Sequence, residues 1–327
     1  MRTILVTGGA GYTGGHLCRK LVSAGNQVRT LVLPGSETEA LKSLEIEIVT
    51  GDLTKKETLV PAVRGVELVY HIAAVYREEN VPRQVFWDVN VQGTRNLLDT
   101  ALEEGVTRFV HCSTVGVQGD IEAPPATEDA PYNPGDYYQE SKMEGELLAL
   151  KFHKEKGLPL VVIRPVGIYG PGDLRFLKLF RMVQKRMPVL GSGNVLYHLT
   201  CIDDLVDGFL LAGETPGIEG EIFTLAGPRY TTLNELRRII AEILNVELSR
   251  LHFPVWPVWT AGAVCELLYQ PFRINPPIYR RRVDFFIKDR AFDISKARRL
   301  LGYDPKTDLQ EGLTRTAAWY REKGLIE

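Results

Sequence analysis

Short apolar runs rich in β-branched residues recur along the first half of the chain: Ile4 to Thr7, Gln27 to Leu33, Ile46 to Val49, Leu68 to Ile72, Arg108 to Cys112 and Leu160 to Ile163. Between them the apolar positions take up helical spacing, with helix starts expected near Thr13, Thr54, Phe86, Asp136, Leu174 and Asp203. Strands without a polar face, alternating with helices, predict a parallel sheet buried on both sides, because each crossover lays a helix above or below it. The expected class is α/β: a doubly wound parallel sheet with a smaller C-terminal lobe. The sheet domain is assigned to 1–165, with returning segments near 196–226, and the lobe with its C-terminal helices mainly to 166–327. After Gly191 the order loosens, although Glu221 to Leu225 reads as a strand and Thr232 with Glu235 makes a capping-box start for the next helix.

Composition narrows the class. The 327 residues are 44% hydrophobic and 24% charged with a net charge of -2, which suits a globular protein and gives no bulk attraction for nucleic acid. Cys18, Cys112, Cys201 and Cys265 lie far apart, in neither metal-ligand pairs nor a disulfide framework, and read as reduced thiols. No histidine spacing suggests a metal site. The strand starting at Arg2 leaves no room for a leader, so the cytoplasm is the default location. The stretch Phe253 to Phe272 is mostly apolar, but Pro254, Pro257, Pro271 and Glu266 interrupt it, against a membrane span. It is expected to form a wall for an apolar substrate or an amphipathic core helix, with peripheral membrane contact a third reading.

The first chemical motif is Thr7-Gly8-Gly9-Ala10-Gly11-Tyr12-Thr13-Gly14, between the first strand and the first helix. A dinucleotide pyrophosphate needs close backbone approach and free helix N-terminal amides, and side chains at Gly8, Gly11 and Gly14 would obstruct one or the other. The second strand ends at Leu33-Pro34-Gly35-Ser36, with neither the carboxylate that selects NAD nor the base that selects NADP. Ser36 and Arg29 are weak phosphate-side candidates, better read as surface loop.

Tyr138 and Lys142 stand four apart on an expected helix and so share a face, where the lysine ammonium favours the ionised phenol. A free phenol, with a pKa of about 10, holds its proton too tightly to act as a base at neutral pH. The strand Phe109 to Cys112 ends in Ser113 and Thr114, at the sheet edge where ligands collect. Each feature also has a bland reading: solvated helix for the pair, strand-end capping for the hydroxyls, a helix N-cap for Asp52.

Together these motifs resemble the extended short-chain dehydrogenases/reductases, the NAD-dependent epimerase/dehydratase superfamily with a Rossmann fold. The likeness rests on T-G-x-x-G-x-x-G at Thr7–Gly14, His71-Ile72-Ala73-Ala74, Val89-Asn90-Val91-Gln92-Gly93-Thr94, Ser113-Thr114 and Tyr138 with Lys142. Arg164-Pro165-Val166-Gly167-Ile168-Tyr169-Gly170-Pro171-Gly172-Asp173, with Arg290 to Asp293 and Leu301 to Pro305, is similar to the 3β-hydroxysteroid and sterol-carboxylate dehydrogenase branch. The resemblance implies NAD or NADP held by Gly8, Gly11, Tyr12, Thr13, Gly14, Asp52, Leu53, Ala73, Ala74, Tyr138, Lys142, Pro165 and Ile168. Catalysis would fall to Tyr138 and Lys142, with Thr114 first and Ser113 second as holder of the reacting oxygen; Asn90 is structural. The implied activity is hydride transfer interconverting a secondary alcohol and its ketone on a small-molecule substrate that is hydrophobic and sterol-like or related, with no metal and a homodimer built on the helices near Phe86 and Asp136. Nucleotide-sugar epimerases, the alternative, often carry asparagine where Gly167 stands, while Arg282 keeps that alternative open. A non-catalytic dinucleotide sensor is the reading of another class, and retention of Thr114, Tyr138 and Lys142 argues against it.

Overall fold

The computed structural model describes residues 2–76, 81–269 and 280–327. Among these, seven parallel strands form the main sheet: β1 (Thr3–Thr7), β2 (Gln27–Val32), β3 (Ile46–Thr50), β4 (Leu68–His71), β5 (Arg108–Cys112), β6 (Leu160–Pro165) and β7 (Ile222–Leu225). Their order is β7-β6-β5-β4-β1-β2-β3, so the chain reverses direction between β1 and β4. At such a reversal the flanking loops part and leave a crevice beyond the strand C-termini.

Alternation along each strand builds two cores. Ile4 and Val6 of β1 pack on one face with Leu17 and Leu21 of helix α1 (Tyr12–Ser23), while Leu5 packs on the other with Leu97 and Ala101 of α2 (Thr94–Glu103) and Leu148 of α3 (Tyr137–Lys156). Each fully buried aliphatic side chain stabilises the fold by roughly 1.5–3 kcal/mol. The first face is completed by α4 (Ile202–Glu214), whose Leu205 and Phe209 are fully buried.

The strands fall within two residues of the expected runs, whereas two helices depart from expectation. After Thr54 there is only a 3₁₀ turn, Lys56–Thr58, and one α turn, Val60–Val63, because the short connection must turn through Gly65 (φ +72°) into β4. The helix expected near Phe86 starts at Arg83, widens to a π-turn over Asp88–Gly93 and continues as α2.

The lobe begins beyond β6. Thr232 accepts from the Glu235 amide as expected, but the Glu235 carboxylate turns to Thr231 and Arg229 instead of closing the box. The stretch from Phe253 is another correction. It forms α5 (Val255–Tyr269), packed beside α6 (Arg280–Ile287), yet no described α5 residue lines the main cavity. Trp256, Val264, Leu267 and Leu268 face outward, 50–71% exposed, so this is neither a substrate wall nor an ordinary amphipathic core helix. Apolar residues predominate on the helix, and among the described residues one side of it finds a partner; Gln270 to Phe272 lie outside the described residues. No described helix is long and apolar enough to cross a membrane.

Candidate active site

The glycine motif leaves β1 through Gly8, at φ +75°, whose amide donates to the Leu31 carbonyl of β2. Gly11 donates back to the Gly8 carbonyl at 2.9 Å and opens α1 with no side-chain cap. The first amides of α1 therefore remain available at the positive end of the helix dipole. A Cβ on Gly14 would lie 2.2 Å from the Gly8 carbonyl oxygen, and one on Gly8 3.0 Å from the Ala73 backbone. Gly14 is thus required for close packing of loop on helix.

A cavity of about 1180 Å³ runs along the strand C-termini from this loop into the lobe. Its wall includes Gly8, Gly11, Tyr12, Thr13, Gly14, Asp52, Leu53, Ala73, Ala74, Ser113, Thr114, Tyr138, Pro165 and Ile168, gathered from across the sheet domain. Open amides beside tight glycines at one end and small Ala73 and Ala74 in mid-cleft fit an extended dinucleotide. Asp52 both lines the cavity and accepts from the amide and hydroxyl of Thr54, in keeping with its two readings. Ser36 also lines the wall, but Arg29 is committed to Glu47 and to the carbonyls of Ala62 and Arg64.

Asp136 starts α3 by accepting from the Gln139 amide, which sets Tyr138 in the first turn facing the cavity. Lys142, one turn on, is buried behind that wall and does not itself line the cavity; its Nζ donates to the Cys112 carbonyl at 2.6 Å. Burial lowers its pKa, opposed by the Glu146 carboxylate a turn further along. Glu146 in turn binds Arg164 in an ion pair closed to solvent on both sides and accepts from the Tyr132 hydroxyl. Thr114 accepts from the Gly116 amide at 3.1 Å, so its hydroxyl proton is left for another acceptor. The Ser113 hydroxyl, also on the wall, is buried and has no hydrogen-bond partner among the described residues. Burial pushes the Cys112 thiol up to about 11 and so keeps it protonated.

Sequence reasoning did not find several side chains of the substrate half. Tyr76 meets the Tyr138 ring edge-on at a centroid distance of 5.0 Å. Arg175 pairs with buried Asp173 and lies over Tyr12 and Tyr76. Lys288 bridges Asp120 and Asp284, while Phe285, Arg290 and Phe292 line the far end. For Phe285 and Lys288 the only signal was the density of charged and aromatic residues from Val283 to Phe292; Arg290 and Phe292 stood in the Arg290 to Asp293 motif without a site role, and Tyr76 and Arg175 carried no signal. Arg282 falls in α6, and its side chain lies outside the described residues.

Glycine loop, switch-point crevice and a tyrosine and lysine on one helix define a class: a dinucleotide-dependent enzyme of Rossmann architecture. The profile of the NAD dependent epimerase/dehydratase family matches residues 4–244. The chain belongs to that family, the extended short-chain dehydrogenases/reductases, and is an NAD-dependent enzyme. It is 32% identical to the 3beta-hydroxysteroid-dehydrogenase/decarboxylase isoform 1 of Arabidopsis thaliana, covering 96% of this chain and 79% of that one. It is 30% identical to the sterol demethylase protein B of Methylococcus capsulatus, over 99% of this chain and 100% of the relative. The crystal structure of UDP-glucuronic acid 4-epimerase from Bacillus cereus with NAD superposes with a TM-score of 0.78 at 25% identity, covering 98% and 99% of the two chains.

Proposed function

We propose that the protein oxidises a secondary alcohol on a hydrophobic, sterol-like substrate to the ketone, and catalyses the reverse. The observation that carries this is that Tyr138, Thr114 and Ser113 line one cavity with the aromatic side chains Tyr76, which meets the Tyr138 ring, and Phe285 and Phe292. The names of the two plant and bacterial relatives point to the same substrate class.

The residues share the work as follows. Thr114 donates its free hydroxyl proton to the substrate oxygen, with Ser113 in reserve, and orients the alcohol toward Tyr138. Ionised Tyr138 takes the proton of the substrate hydroxyl as the carbon–hydrogen bond breaks. NAD, held along the cleft from Gly8 to Ile168, supplies the hydride acceptor. Lys142 favours the phenolate by its charge and holds the first turns of α3 against β5 through Cys112. Reduction of the ketone reverses each transfer. Whether NADP also serves depends on the β2 end, where Leu33 and Ser36 present neither acid nor base.

The alternative is a nucleotide-sugar epimerase or dehydratase, favoured by the cations Lys288 and Arg290 in the substrate half and by the epimerase neighbour. One experiment separates the two: thermal shift of the NAD-loaded protein with 3β-hydroxysteroids and with UDP-sugars, alongside NADH absorbance. Bound ligand raises apparent stability by mass action. Stabilisation by hydroxysteroids with NADH release supports the dehydrogenase; stabilisation by UDP-sugars alone transfers the assignment to the epimerase. We also infer a cytoplasmic homodimer joined through the Arg83–Glu103 and Tyr137–Lys156 segments, where Leu102, Tyr137 and Leu147 are exposed. Light scattering at micromolar concentration tests the dimer.

A further inference from the structure

A buried chain of hydrogen bonds joins the cofactor-side strand end to the catalytic helix, and its proton arrangement can be worked out from the acceptors alone. Thr94 Oγ1 donates to the Asn90 carbonyl at 2.8 Å, which commits its only proton. It must therefore accept from His71 Nε2, 2.9 Å away. That fixes the Nε2–H tautomer and makes Nδ1 an acceptor for the Thr7 hydroxyl at 2.9 Å. Thr7 Oγ1 is left with its lone pairs, which receive the Ile72 and Ala73 amides. Beyond Thr94, the Asn90 side chain exchanges two bonds with the Val75 backbone and donates to Ser141 Oγ, whose proton goes to the Tyr138 carbonyl.

Thr7, His71, Asn90, Thr94 and Ser141 are all at most 2% exposed. Asn90 lies in the π-turn, and α3 comes so close there that a Cβ on Gly145 would sit 2.7 Å from its carbonyl oxygen. Irregular turns of this kind within helices gather at functional sites. A fully matched buried network has one low-energy arrangement and resists displacement, whereas a broken one leaves costly unpaired groups.

We propose that this one-way network, centred on His71 and Thr94, is a positioning device that holds the first turn of α3, and with it Tyr138 and Lys142, at a set distance from the cofactor-side loop Thr7–Ala73. His71 acts only through others: both ring nitrogens are occupied, and it neither touches the cavity nor carries a proton to the substrate. The role rests on the dehydrogenase reading, whereas the direction of the bonds does not.

The test has two arms. Nitrogen-15 spectra of the imidazoles, with His71→Gln for assignment, should show His71 as the Nε2–H tautomer with no titration between pH 5 and 8. A Nδ1–H tautomer, or a midpoint in that range, overturns the network whatever the protein catalyses. In the second arm Thr94→Val removes the hydroxyl at nearly constant shape and Thr94→Ser restores it. Thr94→Val should lower kcat at least tenfold, since displacing a positioned group by about 1 Å can cost up to about a hundredfold. The alcohol KM and the NADH Kd should stay within about threefold, and Thr94→Ser should recover most of kcat. Unchanged kcat in Thr94→Val, or equal losses in kcat, KM and cofactor affinity without recovery in Thr94→Ser, overturns the positioning role. Absence of turnover in the unsubstituted protein would instead defeat the dehydrogenase reading and leave the imidazole arm standing.

Discussion

The cofactor half and the substrate half of the cavity are built differently. Between β1 and β4 the wall is largely backbone and small side chains, Gly8, Gly11, Gly14, Ala73 and Ala74, held by short local turns. In the lobe it is made of large side chains, Arg175, Tyr197, Phe285, Lys288 and Arg290; Tyr197 meets Phe285 and Lys288 meets Asp120 across long stretches of sequence, while Arg175 is held nearby by Asp173 and Ile168. A backbone cradle accepts one shape of ligand and little variation. A wall of long side chains can be recut by substitution without disturbing the sheet, so one scaffold can serve different alcohols.

The largest expected effects fall where the two halves meet. Tyr138→Phe removes the proton acceptor and should lower kcat by about 10²–10⁴-fold. The NADH Kd, read by fluorescence, should stay within about threefold, and parallel loss of cofactor binding would mean that Tyr138 serves the cradle instead. Gly14→Ala tests the cradle itself. With its Cβ forced within 2.2 Å of the Gly8 carbonyl, this variant should lose NADH binding by at least an order of magnitude, and normal affinity would show that the loop is not as tight as described.

Next comes the buried pair behind Lys142. Glu146→Gln leaves the Arg164 charge uncompensated and should cost about 3–5 kcal/mol in denaturant unfolding. A loss below about 1 kcal/mol would indicate that solvent reaches the pair.

A smaller effect is pH-dependent. Burial holds His71 at about 3 and His111 well below its ordinary value, the nearby Lys142 charge adding to both shifts. Unfolding lets both rings take up a proton, so the unfolded state binds more protons below the ordinary pKa of about 6.5. Stability contributed by the neutral rings is complete above that value and is lost as pH falls below it, for His71 down toward 3. The slope should be about 1.4 kcal/mol per pH unit for each histidine. His111→Phe should make the acid limb shallower by one such step, and an unaltered slope would show that His111 protonates within the fold. Smallest of all, Trp256→Ser and Leu267→Ser on the outward side of α5 should change stability by no more than about 0.5 kcal/mol and leave kcat unchanged. A large loss of activity would return α5 to the substrate site.

The same contrast explains what was legible in the sequence. The strands, the glycine loop and the Tyr138–Lys142 spacing could be read because each depends on neighbours within a few residues. The apolar content from Phe253 was visible too, but hydrophobicity does not say which side of a helix finds a partner, and α5 turned outward. Contacts such as Lys288 with Asp120, Arg164 with Glu146 and His71 with Thr7 join segments remote in sequence and follow only from sheet order. His71 and Asn90 were recognisable as motif residues, yet their hydrogen bonds to one another through Thr94 could not be inferred from spacing.

The most direct test of the central claim follows the hydrogen itself. A 3β-hydroxysteroid carrying deuterium on the carbinol carbon is incubated with the protein and NAD, and both products are examined by mass spectrometry. The account predicts deuterium in released NADH and its absence from the ketone, with both lost in Tyr138→Phe. A UDP-sugar deuterated at its reacting carbon that is epimerised with the label retained and no NADH released, while the steroid stays untouched, would contradict it.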